Sequence, residues 1–355
     1  MSTTDDPDRK ALRALYPGLA QGTYVDTSSL GLMAKQTVDA AQAELQRLAE
    51  EGSGRFIHWM MQGQGPIRQA VSDHIGGDPA GLALLQSFTS GMSRLAPLLR
   101  HRRKVLLVGG DYPTLHGPFK WNGFEVVLVE PAPDGNIPME RLAAAVETER
   151  PGIVAISQVQ WTTGFSIDLH ALHELCRANG AWSLVDATQS WCCAPIHLRE
   201  APIDILGASG YKWPLAGAGN GFFHLAEHVR AELAERNGHD PVAALSEGHL
   251  DPAALVRLHD AVLRAADLGQ QAIAARVRQL TDLAVEQLDR ANVKLLNGRD
   301  PAHRAGILMI EGDQQRLDRM RQAGVQAQLR GAGIRIGLHH YNNGEDVERL
   351  VESCG

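Results

Sequence analysis

The chain has 355 residues, 44% of them hydrophobic, which is ample for a real core in one large or two modest domains. A formal net charge of −7, with basic residues scattered apart from His101-Arg102-Arg103-Lys104, argues against a nucleic-acid surface; that short run reads as a solvated turn before a strand. Cys176, Cys192, Cys193 and Cys354 lack zinc-ligand spacing and read as reduced thiols of a cytoplasmic protein, and no apolar run is long enough to span a bilayer.

In chain order, Gly22-Thr23-Tyr24-Val25-Asp26-Thr27-Ser28-Ser29-Leu30-Gly31-Leu32 gives a short strand and a turn, and a helix follows over Lys35–Glu51. Phe56-Ile57-His58-Trp59-Met60 is an aromatic cluster of the kind usually found in a core. A short apolar strand at 82–85 precedes Thr89-Ser90-Gly91-Met92, which opens an apolar-periodic helix reaching residue 99. Hydroxyls and a glycine at a helix start offer free N–H groups to an anion, so this is a sensible phosphate cradle, although a ligand-free N-cap is the commoner use of the pattern.

Strands at 105–108, 125–129 and 153–157 alternate with helices at 139–148 and 169–178, which implies an α/β, doubly wound and mainly parallel sheet. The first of these strands ends in Gly109-Gly110-Asp111-Tyr112-Pro113-Thr114, where Tyr112 is an aromatic candidate to stack on a flat ligand. The third leads into Ser157-Gln158-Val159-Gln160-Trp161-Thr162-Thr163-Gly164.

Trp182-Ser183-Leu184-Val185-Asp186 is an apolar run ending in a carboxylate, and Asp204-Ile205-Leu206-Gly207-Ala208-Ser209-Gly210-Tyr211-Lys212 repeats the pattern and ends in a lysine. Open α/β sheets place ligands at such carboxyl edges. Desolvation beside Trp213 should pull the Lys212 amine toward the nucleophilic range. An acid and a lysine on neighbouring strand ends suit pyridoxal phosphate, with Lys212 forming the Schiff base and Asp186 keeping the ring nitrogen protonated. Residues 219–225 return as an antiparallel strand after a short connection. A long helical stretch over 252–288 leads to a smaller α/β lobe with strands near 293–296 and 307–310, a helix over Gln314–Gln322 and a last helix after Glu345. In Leu329-Arg330-Gly331-Ala332-Gly333-Ile334-Arg335-Ile336-Gly337-Leu338-His339-His340-Tyr341-Asn342, Arg335 alternates with apolar neighbours on a strand and is built to grip a carboxylate through two parallel hydrogen bonds.

From about Tyr24 to Val351 the sequence resembles the fold-type I pyridoxal-phosphate enzymes of the class V aminotransferase group, which include cysteine desulfurases, kynureninases and related lyases and epimerases. The motifs are Asp186 to Gln189, Ser209 to Lys212, and the arginine pair followed by Tyr341-Asn342 and an acidic helix. Ser28-Ser29-Leu30-Gly31-Leu32 and Tyr211-Lys212 are nearest the kynureninase form. The resemblance implies a phosphate loop at Thr89, Ser90, Gly91 and Met92, stacking by Tyr112, a ring-nitrogen contact from Asp186 and a phenolate contact from Gln189. It also implies phosphate contacts from Ser209 and Tyr211, and from His249 to a neighbouring subunit. Arg335 would read the substrate α-carboxylate, with Ser28, Ser29, Trp59 and Trp161 shaping the pocket and Gln160 in reserve.

The domains expected are an amino-terminal arm and substrate-side segment (1–30), a large pyridoxal-phosphate domain (31–255), and a linking helix with a small carboxyl-terminal domain (256–355). The expected partners are an amino-acid substrate and a second copy of the chain, as a homodimer with shared active sites and no membrane. Three positions depart from kynureninases: Leu115, Gln189 and His249. No cysteine lies between Val325 and Ile334, where persulfide-forming desulfurases carry one. The expected reaction is a kynureninase-like lyase or hydrolase cleaving a Cβ–Cγ or Cβ–heteroatom bond. A class V aminotransferase or epimerase is the alternative, and a non-enzymatic scaffold is disfavoured because Lys212, Asp186 and Arg335 are all present.

Overall fold

A computed structural model describes residues 7–246 and 248–355. Its strands are β1 (Thr23–Tyr24), β2 (Leu82–Leu85), β3 (Lys104–Val108), β4 (Glu125–Val129), β5 (Ile153–Ser157), β6 (Trp182–Asp186), β7 (Ile205–Ser209), β8 (Gly221–Leu225), β9 (Ile307–Glu311), β10 (Val325–Gln326), β11 (Gln328–Arg330) and β12 (Gly333–Gly337). Seven of them form the main sheet in the order β2-β8-β7-β6-β5-β3-β4. Only β8 runs antiparallel to its neighbours, as its short connection to β7 requires.

Both faces of this sheet are covered, so its central strands are buried at every position. Successive side chains still alternate between two cores. Leu106, Val108, Val154 and Ile156 join one cluster with Leu172 and Val185; Val105, Leu107, Ile153 and Ala155 join the other with Met92, Leu95 and Phe223. From β3 the chain passes outward to β4 and then returns to the other side of β3 as β5. That reversal opens a crevice beyond the carboxyl ends of β3 and β5, the place where open α/β sheets bind ligands.

A three-stranded antiparallel sheet, β11-β12-β9, packs with the helices Gln270–Arg290 and Gly344–Glu352 around a separate core that includes Leu280, Ile310, Ile334 and Leu350. The amino-terminal segment crosses to it: β1 pairs in parallel with β10, and Gly337 N–H donates to Val25 C=O at 2.6 Å. Residues 26–32 are therefore strung between the two sheets.

Two expectations need correction. The helical stretch expected over 252–288 is broken into Pro252–Leu268 and Gln270–Arg290 by Gly269, whose φ of 81° no regular helix contains. Residues 293–296 form a single bridge, Leu295 to Ile310, instead of a strand, and just beyond them Asn297 Oδ1 takes the Met309 N–H in place of a ladder bond. Among the described residues no helix is long and apolar enough to cross a membrane.

Candidate active site

The crevice is a pocket of about 440 Å³ of atom-free space, part of it open to solvent, lined by Ser87, Phe88, Thr89, Tyr112, Thr114, Ser157, Trp161, Asp186, Thr188, Gln189, Ser209, Tyr211 and Lys212. The sheet supplies its floor. Asp186 ends β6, and Ser209 ends β7 three residues before Lys212.

Lys212 is buried, and its amine lies 5.4 Å from the centre of the Tyr112 ring and 5.3 Å from that of Tyr211. Loss of hydration lowers its pKa from 10.5 to about 7; the Arg335 charge pushes in the same direction and Asp186 opposes it. Asp186 shows the mirror effect. Burial raises its carboxyl above the usual range, hydrogen bonds from the Thr188 hydroxyl and N–H (2.8 Å to the latter) pull it back, and the nearby Asp111 raises it further. Asp111 itself is saturated by Ser157 N–H (2.8 Å), Ser157 Oγ (2.6 Å), Gln160 Nε2 (3.0 Å) and Tyr112 N–H (2.6 Å). It ties the ends of β3 and β5 together and fixes where Tyr112 starts.

One side of the pocket is a helix amino terminus, but it begins earlier than the sequence suggests. The helix is Phe88–Leu98, capped by a reciprocal pair of bonds between Ser87 and Ser90, a device worth about 1 kcal/mol. Ser90 N–H is spent on Ser87 Oγ (3.1 Å) and Phe88 N–H on Ser209 Oγ (2.8 Å). Thr89 N–H has no protein acceptor among the described residues. Of the four residues expected to form the cradle, only Thr89 lines the pocket. Ser90 closes the cap, Gly91 lies against the Phe223 ring and Met92 is wholly buried in the core, because one turn into the helix side chains face the sheet. Ser87 and Phe88 take their place.

Gln189 is also recast. Its Nε2 donates to Ser28 C=O at 3.0 Å and its Oε1 accepts from Trp213 Nε1 at 2.8 Å, so much of the amide expected to face a cofactor oxygen instead joins the amino-terminal segment to the lysine turn. Arg335 stands beside the pocket and does not line it. Its Nη1 donates to Trp161 C=O (2.8 Å) and its Nη2 to Ser29 Oγ (2.7 Å), while the buried Nε is without a partner. Burial lowers the Arg335 pKa to about 10. Trp161 thus contributes a carbonyl, and its indole, held by Gly110 C=O at 3.0 Å, meets the Tyr112 ring edge-on at 5.4 Å. Ser28 is fully buried with an unpartnered Oγ.

Two expected residues fall elsewhere. Trp59 donates to Glu44, a buried carboxylate that also takes Arg55 at 2.6 Å, and does not line the pocket. His249 is exposed, with its ring 5.2 Å from that of Phe56; the contact expected of it belongs to a neighbouring subunit, and the preceding Glu247 lies outside the described residues. Ser87, Phe88, Thr114, Ser157 and Thr188 line the pocket without having been expected there; only Thr188, two residues after Asp186, carries a local signal.

Pyridoxal phosphate fits this constellation. A buried lysine has its amine shifted toward neutrality, a buried carboxylate has hydrogen bonds only from Thr188 among the described residues, and a capped helix start with hydroxyls at Ser87, Thr89 and Ser209 faces the same pocket.

Comparison with known proteins agrees. Residues 116–350 match the family described as aminotransferase class-V. The chain is 29% identical over 331 residues to isopenicillin N epimerase of Streptomyces clavuligerus, covering 81% of this chain and 82% of that protein. It is 33% identical over 177 residues to cysteine desulfurase IscS of Shewanella putrefaciens, but this covers only 50% of this chain and 40% of the desulfurase. A solved structure of a C-DES variant with glycine linked to its pyridoxal-phosphate cofactor superposes with a TM-score of 0.88 at 18% identity, covering 99% of each chain; at that identity the likeness shows the fold. These matches support the class V group as a whole and give no special closeness to kynureninase.

Proposed function

Because the chain belongs to the class-V aminotransferase family, whose members depend on pyridoxal phosphate, we propose that it is a lyase acting on an α-amino acid and cleaving a Cβ–heteroatom or Cβ–Cγ bond. The observation that carries the reading is a buried Lys212 amine sharing one pocket with the buried Asp186 carboxylate, with Arg335 held at the pocket's edge by Ser29 and Trp161. A carboxylate on Arg335 would set Cα beside the one amine in the pocket.

Bound among these residues, pyridoxal phosphate supplies a sink for the electrons left at Cα when its proton departs. Lys212 holds the cofactor and, once free, takes that proton. Its lowered pKa keeps a useful fraction neutral at physiological pH. Asp186 would hold a proton on the ring nitrogen; burial raises its pKa, and the nearby Lys212 only partly offsets this. Ser87, Thr89 and Ser209 would hold its phosphate, and Tyr112, backed by Trp161 edge-on, would be the aromatic residue against its ring. If a Cβ heteroatom then leaves with its bonding pair, water releases a 2-oxo acid and ammonia; if the bond cleaved is Cβ–Cγ, water takes up the Cγ acyl group and Cβ keeps the pair and gains a proton, giving a shortened amino acid. Lys212 is the sole amine or imidazole among the described pocket-lining residues, which favours this single-base course. The chain also has no cysteine near Arg335, so a persulfide step on the protein is not part of the proposal.

Epimerisation is the second reading, favoured by a relative of that activity whose length the chain covers to 82%. A panel of L-amino acids in D₂O, with and without an added 2-oxo acid, separates the possibilities. The lyase reading expects, without any acceptor, ammonia and a 2-oxo acid from Cβ–heteroatom cleavage, or a shortened amino acid and a carboxylic acid from hydrolytic Cβ–Cγ cleavage. Loss of optical activity alone would favour the epimerase, and turnover only with an acceptor would favour transamination.

A further inference from the structure

We propose that Arg330 is a second anion reader of this site, so that the amino acid taken carries a negatively charged side chain. The inference rests on the amino-acid reading above and goes beyond it by naming the substrate class.

Strand register places the residue. In the β11–β12 pair Gln328 is opposite Arg335 and Arg330 is opposite Gly333. Directly opposed residues share a face, and so do residues two apart on one strand, so Arg335, Gln328 and Arg330 all project from the same side. Arg330 is the diagonal neighbour of Arg335, a relation in which residues stand about 7–8 Å apart, within reach for long side chains. Gly333 across from it has no side chain to cover the guanidinium.

The two arginines are treated differently by their surroundings. Arg335 is buried, with both terminal nitrogens engaged. Arg330 is half-buried, and its one hydrogen bond is to the carbonyl of its own neighbour Leu329, at 3.1 Å. No carboxylate lies within ion-pair distance of it among the described residues. The acid on this face is Asp26, which feels both arginines and keeps Oδ1 buried without a partner. Lys212, Arg330 and Arg335 thus act on one another as like charges, with Asp26 and Asp186 as the acids among them. Such an arrangement is unfavourable in a low-dielectric site until anions enter it. The substrate α-carboxylate satisfies Arg335. Arg330 is left for a second anionic group, on the side chain.

The test uses the cofactor-bearing protein and follows the visible absorbance of the bound cofactor as L-aspartate, L-glutamate, L-alanine or L-norvaline is added. The native protein should bind the two acidic amino acids about tenfold or more tighter than the neutral pair. Arg330→Gln should weaken the acidic pair by about tenfold while changing the neutral pair by less than about threefold, Arg330→Lys should keep part of the preference, and Arg335→Gln should weaken all four. Equal binding of acidic and neutral amino acids by the native protein, or an equal loss for both classes in Arg330→Gln, would overturn the inference while leaving the amino-acid reading intact. If none of the four perturbs the spectrum, the amino-acid reading falls and takes this inference with it.

Discussion

Gly31 lies so close to the lysine turn that a Cβ built on it would stand 2.0 Å from the carbonyl oxygen of Lys212, and its N–H donates to Tyr211 C=O at 2.9 Å. The amino-terminal segment is thereby pinned to the residues that flank the reactive amine. A few residues away the same segment holds Arg335 through Ser29.

Gly31→Ala should therefore act on both ends of the site. The clash is with backbone, which cannot rotate away, so a cost of about 1–3 kcal/mol is expected. Thermal unfolding should show the loss of stability, and cofactor should dissociate faster as Tyr211 and Lys212 shift. An alanine variant with native stability and native cofactor retention would mean that the segment moves freely over the turn.

The pH dependence of cofactor attachment follows from Lys212. An amine attacks an aldehyde only when neutral, and burial together with Arg335 lowers this one from 10.5 to about 7. The neutral fraction therefore rises through neutrality and is nearly complete by about pH 9. Stopped-flow mixing of cofactor-free protein with pyridoxal phosphate should show a rate that levels off there. A rate still rising steeply toward pH 10 would indicate an ordinary solvated lysine.

How much of this site could be read from the chain depends on whether its causes are local. Asp186 and Lys212 were legible because each closes an apolar run, and the alternation around Arg335 marked a strand. The helix start was misplaced by one residue because the Ser87–Ser90 cap and the bond from Phe88 N–H to Ser209, 121 positions away, decide it. Trp59 lies in an aromatic cluster whose orientation is set by Glu44, fifteen positions earlier. Gln189 was read by its family position, whereas its amide is claimed by Ser28 and Trp213. Asp111 carries no local signal, because its partners Ser157 and Gln160 lie at and just after the end of another strand and meet it only in the folded sheet.

Arg335→Ala should lower kcat/KM by roughly two to three orders of magnitude for every amino acid accepted, since loss of a desolvated charge pair costs about 2–5 kcal/mol. Arg335→Lys should recover little, because one ammonium cannot reproduce the planar two-pronged grip on a carboxylate while reaching Trp161 and Ser29. Steady-state kinetics with the best substrate of the panel gives the comparison. A loss no larger than that of a surface substitution would place the carboxylate elsewhere.

The expected homodimer has its own test. His249 is exposed, and the segment after its neighbour Phe56 leaves Ile57, Met60 and Met61 open to solvent, an apolar surface suited to a second subunit. Sedimentation should give a dimer, and His249→Ala should loosen cofactor phosphate without loss of folding. A monomer fully active at high dilution would contradict shared sites.

The central claim is that Lys212 carries the cofactor. Borohydride reduction of the cofactor-bearing protein, followed by proteolysis and mass spectrometry, should find the phosphopyridoxyl group on the peptide containing Tyr211-Lys212-Trp213, and Lys212→Ala should carry none. The same group on another lysine, or a covalent adduct retained in the alanine variant, would contradict the account.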